Sequence, residues 1–149
     1  MDHIVYLDAK AGEMENLLLG NKSMIIRGAA GRKLPHGRVR AGDTLYFVNN
    51  NCDGQIRARG VVATVFCSGM LTKEESFKTI IMNQDKLQLP DTQFEKIAGK
   101  RYLVLIGLEK LERIEPFRFD RKCFSKMDDW IPVGNIEEYN FTGQGIISA

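Results

Sequence analysis

The sequence has few of the residues that mark extracellular, membrane or metal-binding proteins. Its three cysteines, Cys52, Cys67 and Cys123, are odd in number and widely spaced, so we expect no disulfide framework and a reducing compartment. No apolar run is long enough to span a membrane, and the N-terminus lacks the pattern of a signal peptide. The two histidines, His3 and His36, have no paired Cys or His spacing, so we expect no metal. These absences predict a cytoplasmic protein.

Motifs of the common enzyme classes are also missing. The chain has no phosphate-binding loop ending in Gly-Lys-Ser/Thr, no dinucleotide-binding Gly-x-Gly-x-x-Gly and no Gly-x-Ser-x-Gly nucleophile turn. Residues 28–31 are glycine-rich but lack these spacings. We therefore expect no cofactor, and any catalysis would have to rest on side chains alone.

Positive charge is concentrated in one stretch, although the formal net charge is only +2. Between residues 20 and 60 the acids are Asp43 and Asp53, and basic residues far outnumber them. The basic residues of this stretch are Lys22, Arg27, Arg32, Lys33, Arg38, Arg40, Arg57 and Arg59. A local basic excess is typical of a phosphate-binding face, and an ordinary solvated surface gives the same pattern. These residues are the candidate nucleic-acid contacts.

Hydrophobic periodicity and turn signals predict short strands with interposed helices. Strands are predicted at residues 3–7, 23–27, 44–49, 55–66 and 102–111, with an edge strand at 116–119. Helices are predicted at 13–19, after a capping box at 72–75 and after a second capping box at 92–95. A basic loop occupies residues 28–40, and the segment after about residue 139 is expected to be loose. This order favours an α+β fold in one domain over residues 1–149, a mixed β-barrel with short peripheral helices.

A more specific pattern joins the first helix to the second strand. The spacing Gly-x-Lys-x-x-x-x-Arg, formed by Gly20, Lys22 and Arg27, resembles the signature of ASCH domains, a branch of the PUA-like superfamily. Gly42 and Asp43 are similar to the Gly-Asp strand start common there, and the order of elements agrees over about residues 11–112. The resemblance implies a PUA-like β-barrel with a cleft between the barrel and its first helix.

What the resemblance implies about function is RNA binding, often through a modified or extruded base. Lys22 and Arg27 would then line the cleft, and the other basic residues of 20–60 would flank it or position phosphates. An extruded base also needs an aromatic platform, for which Tyr46, Phe47 and Trp130 are candidates. Trp130 is favoured because it follows a polar turn. The expected partner is RNA or a nucleotide-like ligand.

An amidohydrolase is the alternative implied by the same resemblance. Some small bacterial ASCH proteins resemble this chain in the Gly-x-Lys block and hydrolyse the amide of acetylated cytidine. Their proposed catalytic group is a lysine, a threonine three residues later and a more distant glutamate. Here Lys22 matches the lysine, but Ile25 stands at the threonine position. Ser23 and Glu74 remain as candidates for the hydroxyl and the carboxylate.

A protein-interaction adaptor is the third hypothesis, and it requires a different surface. It predicts an exposed apolar patch, for which Ile146 and Ile147 are the hint in the sequence. The RNA-binding hypothesis instead predicts an interaction that weakens steeply with added salt, because phosphate contacts release counterions.

Overall fold

Six strands and four short helices are present in the part of the chain that the computed structural model describes, residues 1–119 and 129–139. The strands are β1 (Asp2–Leu7), β2 (Met24–Ala29), β3 (Thr44–Asn49), β4 (Gln55–Cys67), β5 (Tyr102–Arg118) and β6 (Trp130–Gly134). The helices are α1 (Glu13–Leu18), α2 (Lys73–Met82), α3 (Gln84–Leu87) and α4 (Asp91–Ile97), and a 3-10 helix spans Ile136–Tyr139. None of the described helices is long and apolar enough to cross a membrane.

The strands form one curled sheet in the order β2-β5-β4-β3-β1-β6. β1 and β3 are parallel, and every other neighbouring pair is antiparallel. The result is an α+β half-barrel with short helices around it, which confirms the predicted α+β class with short peripheral helices. Because β1 and β3 run in the same direction, both end at the same edge, where Leu7 pairs with Asn49.

The inner side of the curled sheet holds the main core. Alternate residues of neighbouring strands meet there, such as Val5 and Leu7 of β1 and Phe47 of β3. Met14 and Leu17 of α1 pack into the same cluster, as their spacing in the sequence predicts. Burying a side chain of this size fully stabilises a fold by about 1.5–3 kcal/mol. This packing fixes α1 against the open side of the half-barrel.

Helices α2, α3 and α4 cover the outer side of β2 and β5. Ile26 of β2 and Leu105 of β5 pack there against Ile80 of α2 and Leu87 of α3. The capping box predicted for the first of these helices is present, since Thr72 accepts a hydrogen bond from the amide of Glu75 and Glu75 accepts one from Thr72. α4 packs beside β2, and its residues Gln93, Lys96 and Ile97 line the cleft described below.

Two elements differ from the sequence-based prediction. Residues 102–118 form one long strand, because the segment with Pro116 continues β5 past the end of β2, where one edge is open and a proline is tolerated. α4 begins directly after Pro90 without a side-chain cap, so the second predicted capping box at Thr92 is not used. Cys123, the residues after 139 and the larger part of the predicted turn before Trp130 lie outside the described residues.

Candidate ligand-binding cleft

The half-barrel is open between β2, at one end of the sheet, and the end of β1. Among the described residues, β2 pairs only with β5, so its other edge has no strand partner. Arg27 bridges the gap: its Nη2 donates a hydrogen bond of 2.7 Å to the carbonyl oxygen of Tyr6 on β1. A side chain therefore closes the barrel where backbone pairing stops.

A cleft of about 610 Å³ occupies this gap. Its walls are the end of β1, the start of α1, the middle of β2, the β3–β4 turn and the outer face of α4. The polar and charged side chains among the lining residues are Tyr6, Asp8, Glu13, Arg27, Asn49, Asn50, Cys52, Gln93, Lys96 and Asp129. The volume is in the range of ligand-binding pockets for small molecules.

A buried ion pair supports the floor of the cleft. Lys22 Nζ lies 2.9 Å from Glu13 Oε2, and the two side chains are only 2% and 5% exposed. The other carboxylate oxygen of Glu13 accepts a hydrogen bond of 3.0 Å from the amide of Asp8. Gly20, with φ of +82°, turns the chain back after α1 and brings Lys22 over Glu13. Lys22, which the sequence predicted to line the cleft, therefore does not line it. It contacts Glu13, which does.

Arg27 is the predicted residue that does line the cleft. Its guanidinium lies 5.6 Å from the centre of the Trp130 ring, a distance typical of a cation–π contact. Its Nε is buried and makes no hydrogen bond with the described residues, although Asp129 Oδ2 lies 3.3 Å away. A buried guanidinium donor without a hydrogen bond is costly, so a ligand acceptor at this point would stabilise the site.

A polar wall of amides and a carboxylate stands opposite. Gln93 of α4 donates a hydrogen bond of 3.3 Å to Asp8 Oδ2, and its own Oε1 is buried without a partner among the described residues. Asn50, directly after β3, accepts a hydrogen bond of 2.8 Å from the amide of Ala9. Gln93 Oε1 and Arg27 Nε are thus buried polar atoms of cleft-lining residues that make no hydrogen bond with the described residues.

The charges in the cleft are mixed. The lining cations are Arg27 and Lys96, and the lining carboxylates are Asp8, Glu13 and Asp129. Such a lining suits a ligand with both donors and acceptors better than a row of phosphates. The sequence predicted cations here but missed Asp8, Glu13 and Gln93, because their proximity arises from three separate elements.

The remaining predicted cations lie elsewhere. Arg57 and Arg59 do not line the cleft, and each pairs with a nearby acid: Arg57 with Asp53 at 3.2 Å and Arg59 with Glu112 at 2.6 Å. The cations of the basic loop are exposed, and these are Arg32, Lys33, Arg38 and Arg40. The exposed positive charge of these residues is therefore concentrated in the loop at residues 28–40.

The predicted aromatic platforms are not free. Trp130 is 1% exposed and Phe47 is 1% exposed, both within the inner core. Tyr46 is half-buried and packs against the outer cluster around Ile4. Trp130 reaches the cleft only through its contact with Arg27. This structure presents no open face of Trp130 for a base.

The candidate hydrolase residues do not meet. Ser23 and Glu74 are exposed, and neither lines the cleft. Ile25, at the position of the family threonine, is completely buried in the inner core. The carboxylate that contacts Lys22 is Glu13, nine residues earlier in the chain. No group of three or more potential metal ligands occurs within residues 1–119 and 129–139.

The members of a second buried polar cluster do not line the cleft. His3 Nε2 donates a hydrogen bond of 2.8 Å to Asp43 Oδ2, and the Trp130 indole donates one of 3.1 Å to His3 Nδ1. Burial lowers the pKa of His3, and the hydrogen bond to Asp43 opposes this shift without cancelling it. Burial alone would raise the pKa of Asp43, but hydrogen bonds from His3 and the Arg40 amide lower it overall. A neutral His3 therefore links β1 to β6.

The fold is similar to that of solved ASCH proteins. The ASCH protein from Zymomonas mobilis matches with a TM-score of 0.66 and 12% sequence identity, over 89% of this chain and 87% of that chain. A tyrosine-to-phenylalanine variant of the protein matches equally well, over 89% of both chains. At this identity the likeness shows the fold, and it confirms the ASCH-type architecture that the Gly20–Arg27 block predicted. No protein-family model and no curated protein matches the sequence.

Proposed function

We propose that this chain, which has the ASCH fold, binds one unit of RNA or a free nucleotide, with the base in the cleft. The observation that supports the proposal is the cleft of about 610 Å³ with a buried donor, Arg27 Nε, and a buried acceptor, Gln93 Oε1, that lack hydrogen-bond partners among the described residues. A base edge carries donors and acceptors side by side and can satisfy both.

The charge distribution favours a base inside the cleft and phosphates outside it. Asp8 and Glu13 line the cleft with carboxylates that would repel phosphate there. Carboxylates and amides instead accept hydrogen bonds from the amino groups of bases. The exposed cations of the loop at residues 28–40 would then meet the sugar–phosphate backbone.

The test uses the only tryptophan of the chain as a reporter. Trp130 contacts Arg27, so its fluorescence should respond when a ligand occupies the cleft. Titrations with nucleoside monophosphates and with a short single-stranded RNA, at about 50 and 200 mM salt, would measure affinity and its salt dependence. An RNA strand should lose more affinity with salt than a mononucleotide.

A matched pair of variants locates the binding. Lys96 lines the cleft from α4, whereas Lys78 is exposed on α2 and does not line it. Lys96→Ala should weaken binding about tenfold, as expected for a lost charge-assisted contact, and Lys78→Ala should leave it unchanged. Equal effects would point to a general charge attraction, and no response to any nucleotide or RNA would contradict the proposal.

A hydrolytic role is the second candidate, and the position of Glu13 favours it. Its carboxylate faces the cleft and is oriented by Lys22 Nζ at 2.9 Å and by the Asp8 amide at 3.0 Å. A carboxylate held in this way can orient a water as a general base. Release of acetate from acetylated cytidine by the wild type, lost in Glu13→Gln with binding retained, would support hydrolysis; no release would exclude this substrate.

The adaptor hypothesis rests on a different surface. Phe77, Ile81 and Met82 of α2 are exposed, with Ile81 62% and Met82 70% accessible. Nothing in the structure indicates what would cover these side chains, and Ile146 and Ile147 lie outside the described residues. A concentration-dependent oligomeric state that is abolished by Ile81→Lys would favour this alternative.

A further inference from the structure

A second, smaller pocket of about 110 Å³ adjoins the cleft. The two share Arg27, Gly28 and Asp129, so one ligand can reach both. The small pocket is much too small for a base with its sugar but has room for a compact group. Its remaining polar side chains are Lys33 and His36 of the basic loop and Tyr102 of β5.

The chemistry of the small pocket suits an oxyanion. Arg27 and Lys33 supply fixed positive charge, and Arg32 lies just outside with its guanidinium 5.8 Å from the centre of the Tyr102 ring. Tyr102 also lines the pocket. Among the described lining residues the carboxylate is that of Asp129, which lies 3.3 Å from Arg27 Nε, so the ion pair reduces its repulsion of an anion.

The pocket is held in shape by contacts of its own. His36 Nε2 donates a hydrogen bond of 2.8 Å to the carbonyl oxygen of Ser68, which can only accept. The His36 ring also packs edge-on against Tyr102, with 5.8 Å between ring centres. The loop is therefore anchored to the barrel at this point, and Lys33 is presented from an ordered position. Preorganised cations bind phosphate better than cations on a free loop.

We propose that the small pocket is a phosphate subsite, which holds a phosphate monoester of the nucleotide whose base occupies the cleft. This inference rests on the proposed function, since the shared Arg27 joins the two sites. The subsite favours a phosphorylated ligand, so a nucleotide or the end of a strand should bind more tightly than the free nucleoside.

The experiment compares three probes by Trp130 fluorescence or calorimetry: a nucleoside, its 5′- and 3′-monophosphates, and inorganic phosphate as a competitor. One monophosphate should bind at least about tenfold more tightly than the nucleoside, as expected for charge-assisted contacts to phosphate. Lys33→Gln should remove this preference and leave the affinity for the nucleoside unchanged. Lys78→Gln is the matched control, because Lys78 is exposed on α2 and lines neither pocket.

The outcomes separate the two proposals. Equal affinity for nucleoside and monophosphates would overturn the phosphate subsite and leave base binding intact. Binding of inorganic phosphate that is lost in Lys33→Gln, without any binding of nucleoside, would support the subsite and contradict the base site. No binding of any probe would overturn both.

Discussion

Two buried polar clusters in this half-barrel differ in whether their hydrogen bonds are complete. The barrel-end cluster, His3, Asp43 and Trp130, is closed, because each member bonds another and His3 is fully buried. The cleft cluster, Glu13 with Lys22 behind it and Asp8 beside it, borders an open volume. Around that volume Arg27 Nε and Gln93 Oε1 make no hydrogen bond with the described residues, although Arg27 Nε lies 3.3 Å from Asp129 Oδ2.

The difference distinguishes polar groups that stabilise the fold from polar groups that can bind a ligand. A buried polar group with all its partners stabilises one arrangement of the chain and needs no ligand. A buried donor or acceptor without a partner, beside a cleft, lowers stability unless something binds there. We therefore assign the barrel-end cluster to joining β1 and β6, and the cleft to recognition.

The largest expected effect is at Lys22. Lys22→Ala leaves the buried carboxylate of Glu13 without its cation, and removing one partner of a buried pair costs about 3–5 kcal/mol of unfolding free energy. Urea denaturation would measure the loss. In the double variant Lys22→Met with Glu13→Gln, no buried charge remains and most of the stability should return. If Lys22→Ala were as stable as the wild type, water would have to solvate the Glu13 carboxylate in place of the lysine.

The barrel-end cluster should show a smaller loss. His3→Leu leaves the Trp130 indole and the Asp43 carboxylate without their shared partner, which we expect to cost about 2–3 kcal/mol. Trp130→Phe removes the donor and keeps an aromatic ring, so it should cost less. Thermal unfolding of the two variants would give this order, and the reverse order would mean that packing outweighs the hydrogen bonds.

The same cluster predicts a pH dependence. The pKa of His3 is lowered from 6.5 by burial, so the unfolded chain binds the proton first as the pH falls. Stability is therefore complete above pH 6.5 and decreases as the pH falls below that value through the lower pKa of folded His3. The lowered pKa of Asp43 acts in the same direction below its ordinary value of 3.8.

Denaturation midpoints between about pH 7.5 and 5 would measure the slope of stability against pH. His3→Gln should reduce the slope, because glutamine does not titrate. His36→Gln is the control and should retain it, since His36 lies in the loop and hydrogen-bonds the backbone carbonyl of Ser68. If His36→Gln reduced the slope and His3→Gln did not, the assignment of the pH dependence to His3 would be contradicted.

The smallest effect is expected at the exposed pair of Arg59 and Glu112. Their charged atoms are 2.6 Å apart, but both side chains are about half exposed, at 46% and 51%. Surface pairs of this kind contribute about 0–1 kcal/mol, so Arg59→Ala should barely change the urea midpoint. A loss comparable with that of Lys22→Ala would mean that burial does not distinguish the two pairs.

Local sequence patterns predicted the elements well where one segment contains the whole signal. The stripe of Met14 and Leu17, the capping box at Thr72 and the helix-to-strand junction at Gly20–Arg27 are present as predicted. The second capping box at Thr92 is not used, because the helix begins two residues earlier, with Pro90 at the N-cap. The polar neighbours of Trp130 in the sequence conceal its burial on β6, where it is 1% exposed.

The sequence by itself determined the kinds of side chain available and the order of strands and helices, because hydrophobic period and turn chemistry act over a few residues. It also determined that positive charge gathers in the loop at 28–40. Only the tertiary structure decided which polar groups meet: Glu13 with Lys22, Gln93 with Asp8, and Arg27 with Tyr6. These contacts depend on the curling of the sheet and on where α1 and α4 pack, which are sums of many distant interactions.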